Sequence, residues 1–246
     1  MIDRERKIIF VHLPKTGGST IESMLVGSDD VGFHDRPDSE VLTLERYRGY
    51  FPLGRHATLS DYEALLGSEG DSLRNYRVFA TVRDPRRQLV SQFKFRRQKF
   101  FGREGFFAPI RNLFHRVLYT SFAVFLSQTL LLYALMTVIP VASVYRRCKR
   151  LGLSRIFLKN ESAVVVKVFR LEDISQDPSP IYAYLDLPPG PPLKKLNKTK
   201  ASAGINPDNK LLGWVAGIVY KNRIRDFYSD ETPPSSRGED PSPGMV

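Results

Sequence analysis

The run Pro14-Lys15-Thr16-Gly17-Gly18-Ser19-Thr20 gathers the residue types that hold an anion at a strand-to-helix turn. Gly17 and Gly18 let backbone N–H groups come close to a ligand, and a helix starting there adds its partial positive charge. Lys15 supplies a mobile full charge that can follow an oxygen as negative charge builds on it. Thr16 sits inside the turn, and Ser19 and Thr20 add hydroxyl donors. The lysine precedes both glycines, whereas the nucleoside-triphosphate loop places it after the second. A Gly-Gly turn with an incidental surface lysine is the plainer reading of the same residues.

A second cluster follows at Arg83-Asp84-Pro85-Arg86-Arg87, with Ser91 eight residues after Arg83. At the carboxyl end of a strand, where open α/β sheets hold ligands, Arg83 can grip a phosphate through two parallel bonds. Ser91, nearly two turns into the next helix, can add a third. An arginine paired with Asp84 at a helix start is the alternative. Between the two clusters lies Gly54-Arg55-His56, and a histidine is the natural base for deprotonating a hydroxyl near neutral pH. Of the four histidines, His56 is the first candidate and His34 the second. His12 precedes the loop and is expected to shape it, and His115 has no such context.

These groups need rigid carriers. Ile8-Ile9-Phe10-Val11-His12-Leu13 is a short β-branched run that reads as a buried parallel strand, with Ser19 capping the helix that carries Ile21, Met24 and Leu25. Val78 to Val82 reads as a second buried strand. Pro85 then suits the first turn of a helix that turns Leu89, Val90 and Phe93 inward. Val164 to Phe169 reads as a third strand, with a helix beginning at Glu172-Asp173. Strands alternating with helices predict an α/β, P-loop-like fold of three layers, a central parallel sheet with helices on both faces.

The two clusters together, in this order and on successive strands, resemble the carbohydrate sulfotransferases, the group that includes heparan sulfate 2-O-sulfotransferase and its bacterial relatives. The resemblance is firm from about residue 7 to 100 and looser from about 155 to 228. It implies that Lys15 and its loop hold the 5′-phosphosulfate of 3′-phosphoadenosine-5′-phosphosulfate (PAPS), and that Arg83 and Ser91 hold the 3′-phosphate. His56 would be the catalytic base. Lys198 and Thr199, in the late basic run Leu193 to Lys200, resemble a segment that closes over the nucleotide, although a solvated basic loop fits that run equally. Asp226-Phe227-Tyr228 resembles the family's terminal helix. The implied reaction moves a sulfuryl group from PAPS to a hydroxyl of a glycan or glycolipid, with Lys15 assisting departure of the nucleotide and no metal required.

The totals agree with an anionic partner: 246 residues, formal charge +11 and a sequence pI of about 9.8. Residues 1–228 fit one domain, and 229–246, rich in Pro, Ser, Gly and acidic groups, read as a disordered tail. Cys148 is the only cysteine, so no intrachain disulfide is expected. Met1 to Lys7 runs straight into a strand and lacks the apolar stretch of a signal peptide. Both features point to a cytoplasmic setting. From Val117 to Tyr145 no residue is charged, a length able to span a bilayer. Its scattered Ser, Gln and Thr and its place inside the domain favour a packed or interfacial helix broken near Pro140, with peripheral or integral membrane attachment through 117–145 as the alternative. Arg86, Arg87, Lys94, Arg96 and Arg97 give the preceding stretch a basic character suited to an acidic sugar chain, an anionic lipid surface or simply water.

Two rivals stand beside this reading. A P-loop nucleotide kinase fits the turn but not the lysine position, and no acidic strand end for magnesium is visible. A non-enzymatic basic module for membrane surfaces or nucleic acid fits the charge, but no nucleic-acid-binding signature supports the second. The acceptor and the oligomeric state have no signal in the sequence.

Overall fold

The computed structural model describes residues 1–26, 49–101, 121–138, 149–190, 193 and 205–228. His34, His115, Lys198, Thr199 and the segment 229–246 lie outside the described residues, as do 117–120 and 139–145 of the uncharged run.

A four-stranded sheet has the order β1-β2-β3-β4, formed by Ile2–Asp3 (β1), Ile8–Val11 (β2), Arg77–Val82 (β3) and Lys167–Arg170 (β4). β2, β3 and β4 run parallel, in the register Phe10 with Phe79 and Phe79 with Lys167. The short β1 adds an antiparallel edge, Ile2 against Ile9. Three parallel strands are as the β-branched runs predicted, and the edge strand has no comparable pattern because only two residues form it.

Alternation along the strands sorts the two cores. Ile9, Val11, Val78, Ala80 and Val82 face one side, where they meet Leu59–Ser68 (α2), Pro85–Phe101 (α3), Phe122–Val138 (α4) and Lys210–Val219 (α7). Ile8, Phe10, Phe79 and Phe169 face the other, against Gly18–Val26 (α1), Leu171–Ile174 (α5) and Ser179–Tyr184 (α6). Helices therefore cover both faces, and the chain is α/β with three layers. Leu89, Val90 and Phe93 point inward from α3 as the spacing after Pro85 requires.

Two boundaries differ from expectation. The third strand begins at Lys167 rather than Val164. The side chain of Asn160 takes both backbone groups of Val164, donating to its oxygen at 3.3 Å and accepting from its nitrogen at 2.8 Å. Ala163 has φ 52°, and Val165 is 87% exposed between the partly buried Val164 and Val166, so this valine run leads into the strand without pairing in the sheet. The first helix starts at Gly18, which places Ser19 within its first turn instead of at its cap.

The described part of the uncharged run is the single helix α4. Phe125, Leu126 and Thr129 are buried, and the hydroxyls of Ser127 and Thr129 donate to the carbonyls four residues earlier. That back-bonding satisfies polar groups inside an apolar helix. Among the described residues, no helix is long and apolar enough to cross a membrane.

Candidate functional site

The carboxyl ends of β2 and β3 are neighbours, so the loop after Val11 and the arginine after Val82 come together. The loop is tied on either side of Lys15. Gln88 of α3 donates through Nε2 to the carbonyl of Pro14 at 2.9 Å, and Thr81 of β3 donates to the carbonyl of Thr16 at 3.0 Å. Between these ties Lys15 adopts φ 66°, a left-handed conformation disfavoured for any residue with a Cβ. Its ammonium lies 4.1 Å from the ring centroid of Phe95. Burial, with Arg83 nearby, lowers its pKa to about 8.

Arg83 is half-buried and its pKa is pushed down, first by burial and then by Arg87, while Glu172 opposes the shift. Neither Lys15 nor Arg83 has a hydrogen-bond partner among the described residues. Two partly desolvated cations that repel each other are stabilised when an anion comes between them. Ser91 lies on α3 between Gln88 and Phe95, three and four residues from each, which puts it on the helix face that meets the loop.

The glycines answer to packing as well as to a ligand. Gly17 has φ 85°, and a Cβ there would approach Leu171 of α5 to 2.5 Å. At Gly18 a Cβ would overlap the ring of His12. Thr16 is fully buried, its hydroxyl donating to the carbonyl of Leu13 at 2.8 Å, so it faces a ligand only through its backbone. Ser19 accepts a bond from Arg55 at 3.3 Å, and Thr20 closes the helix start with its N–H on the carbonyl of Gly17 at 3.0 Å.

His12 and Arg55 share one partner. Glu22, fully buried in α1, meets His12 Nδ1 at 2.7 Å through one oxygen and Arg55 Nε at 3.1 Å through the other. Burial alone would raise its pKa, but His12 and Arg55 reverse that and hold it at about 2. Arg55 is thereby fixed inside, and Thr58, two residues past His56, closes a reciprocal capping box with Asp61 at the start of α2. His56, held between these anchors, is exposed. Its Nδ1 lies 3.1 Å from the carbonyl oxygen of His12, with the two imidazole centroids 4.5 Å apart. A carbonyl can only accept, so Nδ1 carries the proton in neutral His56 and the lone pair is on Nε2.

The far wall comes from β4 and α5. Besides Leu171 over Gly17, Glu172 accepts from the N–H of Asp84 at 3.0 Å and from the hydroxyl of Tyr228 at 3.0 Å. Arg223, fully buried in Lys221–Phe227 (α8), donates to Gln88 and to the carbonyl of Gly152. The terminal helix therefore supports the loop through Gln88.

The structure thus brings Lys15, Thr16, Gly17, Gly18, Ser19, Thr20, His56, Arg83 and Ser91 to one end of the sheet. Sequence reasoning passed over Glu22, Gln88, Phe95 and Glu172. Glu22 and Gln88 carried a signal, a polar residue beside buried apolar ones on a helix, which a buried network requires. Among the described residues, no cluster of three or more His, Cys, Asp or Glu is arranged to hold a metal.

Residues 1–123 match the model of the Sulfotransferase family, a stretch that includes the Lys15 loop, His56, Arg83 and Ser91. The chain belongs to the sulfotransferase family. Neither the curated proteins nor the solved structures contain a match to it.

Proposed function

We propose that the chain moves a sulfuryl group from PAPS to a hydroxyl of a glycan or glycolipid, releasing adenosine 3′,5′-bisphosphate. The observation that carries this reading is the pair Lys15 and Arg83. They are two partly buried cations, without hydrogen-bond partners among the described residues, at the carboxyl ends of adjacent parallel strands and beside a helix N-terminus. A donor with an anionic group at each end of its nucleotide fits two separate cationic points better than one.

The bound donor supplies an activated sulfuryl group. Lys15, flexible beyond its fixed backbone, neutralises charge developing on the bridging oxygen as the sulfur–oxygen bond breaks. The N–H groups at the start of α1 and the hydroxyls of Ser19 and Thr20 face the same end of the donor. Arg83 and Ser91 hold the other end. His56 takes the acceptor's proton on Nε2 while the acceptor oxygen bonds to sulfur, with the His12 carbonyl keeping the ring oriented. Positioning and electrostatics carry most of the rate, because the protein forms no covalent bond in this scheme. The basic face of α3 beside Ser91 favours an acidic or lipid-linked sugar.

Calorimetry with adenosine 3′,5′-bisphosphate, beside ATP with magnesium, tests the reading. Selective bisphosphate binding that Lys15→Ala and Arg83→Ala both weaken supports it. Absence of bisphosphate binding, or a preference for ATP with magnesium, overturns it.

A further inference from the structure

The layer formed by α3, α7 and α4 has an outer surface unlike that of an ordinary soluble domain. The inward residues of all three helices belong to one core, so their exposed residues share the opposite side. α7 packs against both α3 and α4 and lies between their chemistries. α4 has no charged residue in Phe122–Val138, and the side it shows to solvent carries Ala123, Ser127, Leu131 and Ala134. Leu131 is 59% exposed. α7 turns Leu211 and Trp214 outward, at 47% and 59% exposure, although a helix needs only one apolar face to fold here.

The border of this uncharged surface is basic. Lys210 and Lys221 stand exposed at the two ends of α7. The Arg86 guanidinium of α3 lies against α7, 3.5 Å from the position a Cβ on Gly213 would take, with Asp208 at 4.0 Å. Exposed Arg87 and half-buried Lys94 and Arg97 continue the basic strip along α3. An apolar patch containing a tryptophan and rimmed by lysine and arginine matches the chemistry of a bilayer interface, where apolar groups enter the acyl boundary and cations meet anionic head groups.

We infer that the α4–α7 face docks on an anionic lipid bilayer, lying in the interface without spanning it. The charge complementarity of the rim selects anionic over zwitterionic lipid. Docking brings α3, with Ser91 and Phe95 on it, close to the head groups. A lipid-linked acceptor suits that placement, which rests on the function proposed above; the docking itself does not.

Trp214 is the only tryptophan in the chain and therefore reports on this face directly. The full chain is titrated with vesicles of phosphatidylcholine carrying about 30% phosphatidylglycerol, and with vesicles of phosphatidylcholine alone. Expected are a blue shift of Trp214 emission and co-sedimentation with the anionic vesicles only, both weakened by salt. Leu131→Glu and Leu211→Glu, both at exposed positions, keep the circular dichroism and melting of the native chain. Each is expected to lower vesicle partitioning at least about tenfold, because each sets a carboxylate at the interface. Binding that leaves Trp214 emission unchanged, or that both glutamate variants retain, overturns the inference. So does a Trp214 blue shift that needs no lipid and follows protein concentration in sedimentation, which would assign the face to a second copy of the chain. None of these readouts involves sulfuryl transfer, so failure here leaves the proposed function standing, and the converse holds.

Discussion

His56 Nδ1 lies 3.1 Å from the carbonyl oxygen of His12, the residue that follows β2 and opens the Lys15 loop. One hydrogen bond thus fixes the tautomer of His56 and its place relative to the loop. His56→Ala is expected to lower kcat about 10²- to 10⁴-fold, the usual contribution of a general base. Bisphosphate affinity should stay within about twofold, since His56 takes no part in holding phosphate in this scheme. Steady-state kinetics beside calorimetry separate the two. Equal loss of kcat and of nucleotide affinity would make His56 a binding residue.

Lys15 is held at a cost to the fold. Its pKa, lowered to about 8 by burial and by Arg83, stands below the 10.4 of the unfolded chain. The folded chain therefore binds fewer protons between about pH 8 and 10.4, and stability rises with pH across that window. Below pH 8 the charged amine destabilises the fold. Lys15→Met is expected to raise Tm at pH 7 by about 3 °C, an advantage that shrinks as pH passes from 8 to 10.4. The same variant should weaken bisphosphate binding at least about tenfold. A lower Tm at pH 7 would refute the claim that Lys15 is held at a cost for a ligand.

Arg83 and Ser91 are expected to act on one phosphate with unequal weight. Arg83→Ala removes a two-pronged charged contact and should reduce bisphosphate affinity about 30- to 100-fold. Ser91→Ala removes one neutral donor to a charged group and should cost about tenfold or less. Arg83→Lys keeps the charge without the fork and should recover only part of the loss. Adenosine 5′-phosphate, lacking the 3′-phosphate, should bind all four proteins alike. If the arginine variants weaken it as strongly as the bisphosphate, the 3′-phosphate assignment fails.

What the sequence made legible was local. Ile8 to Val11, the glycines, Arg83 and Pro85 report strand, turn and helix start through their own backbone preferences, and the order of two such units implies a parallel sheet with a ligand at its carboxyl end. The contacts that set the site's geometry join residues far apart in the chain. Gln88 reaches Pro14, Arg55 reaches Glu22 and Leu171 packs on Gly17. Local pattern carries no record of such pairings. The glycines show the limit clearly. The open backbone expected for an anion is also the space into which the His12 ring and Leu171 pack. Val164 to Val166 shows the opposite error, where strong strand propensity yields to the Asn160 side chain that takes the backbone bonds.

The buried triad of His12, Glu22 and Arg55 gives the last prediction. Glu22 is held at about 2, below its ordinary 4.5, because His12 and Arg55 outweigh the burial that would raise it. A depressed carboxylate contributes stability that is present above about pH 4.5 and lost as pH falls towards 2. Glu22→Gln removes the buried charge that His12 and Arg55 both meet, which costs about 3–5 kcal/mol at pH 7. Urea unfolding of both proteins at pH 7, 4 and 3 should show that gap narrowing as Glu22 takes up a proton in the unfolded chain but stays ionised in the folded one. Glu22→Gln should also lower kcat, since Arg55 anchors the segment that presents His56, while Lys15 and Arg83 still hold the bisphosphate. A gap that stays constant from pH 7 to 3 would mean that the folded chain does not depress the pKa of Glu22, and the triad would lose its role in placing His56.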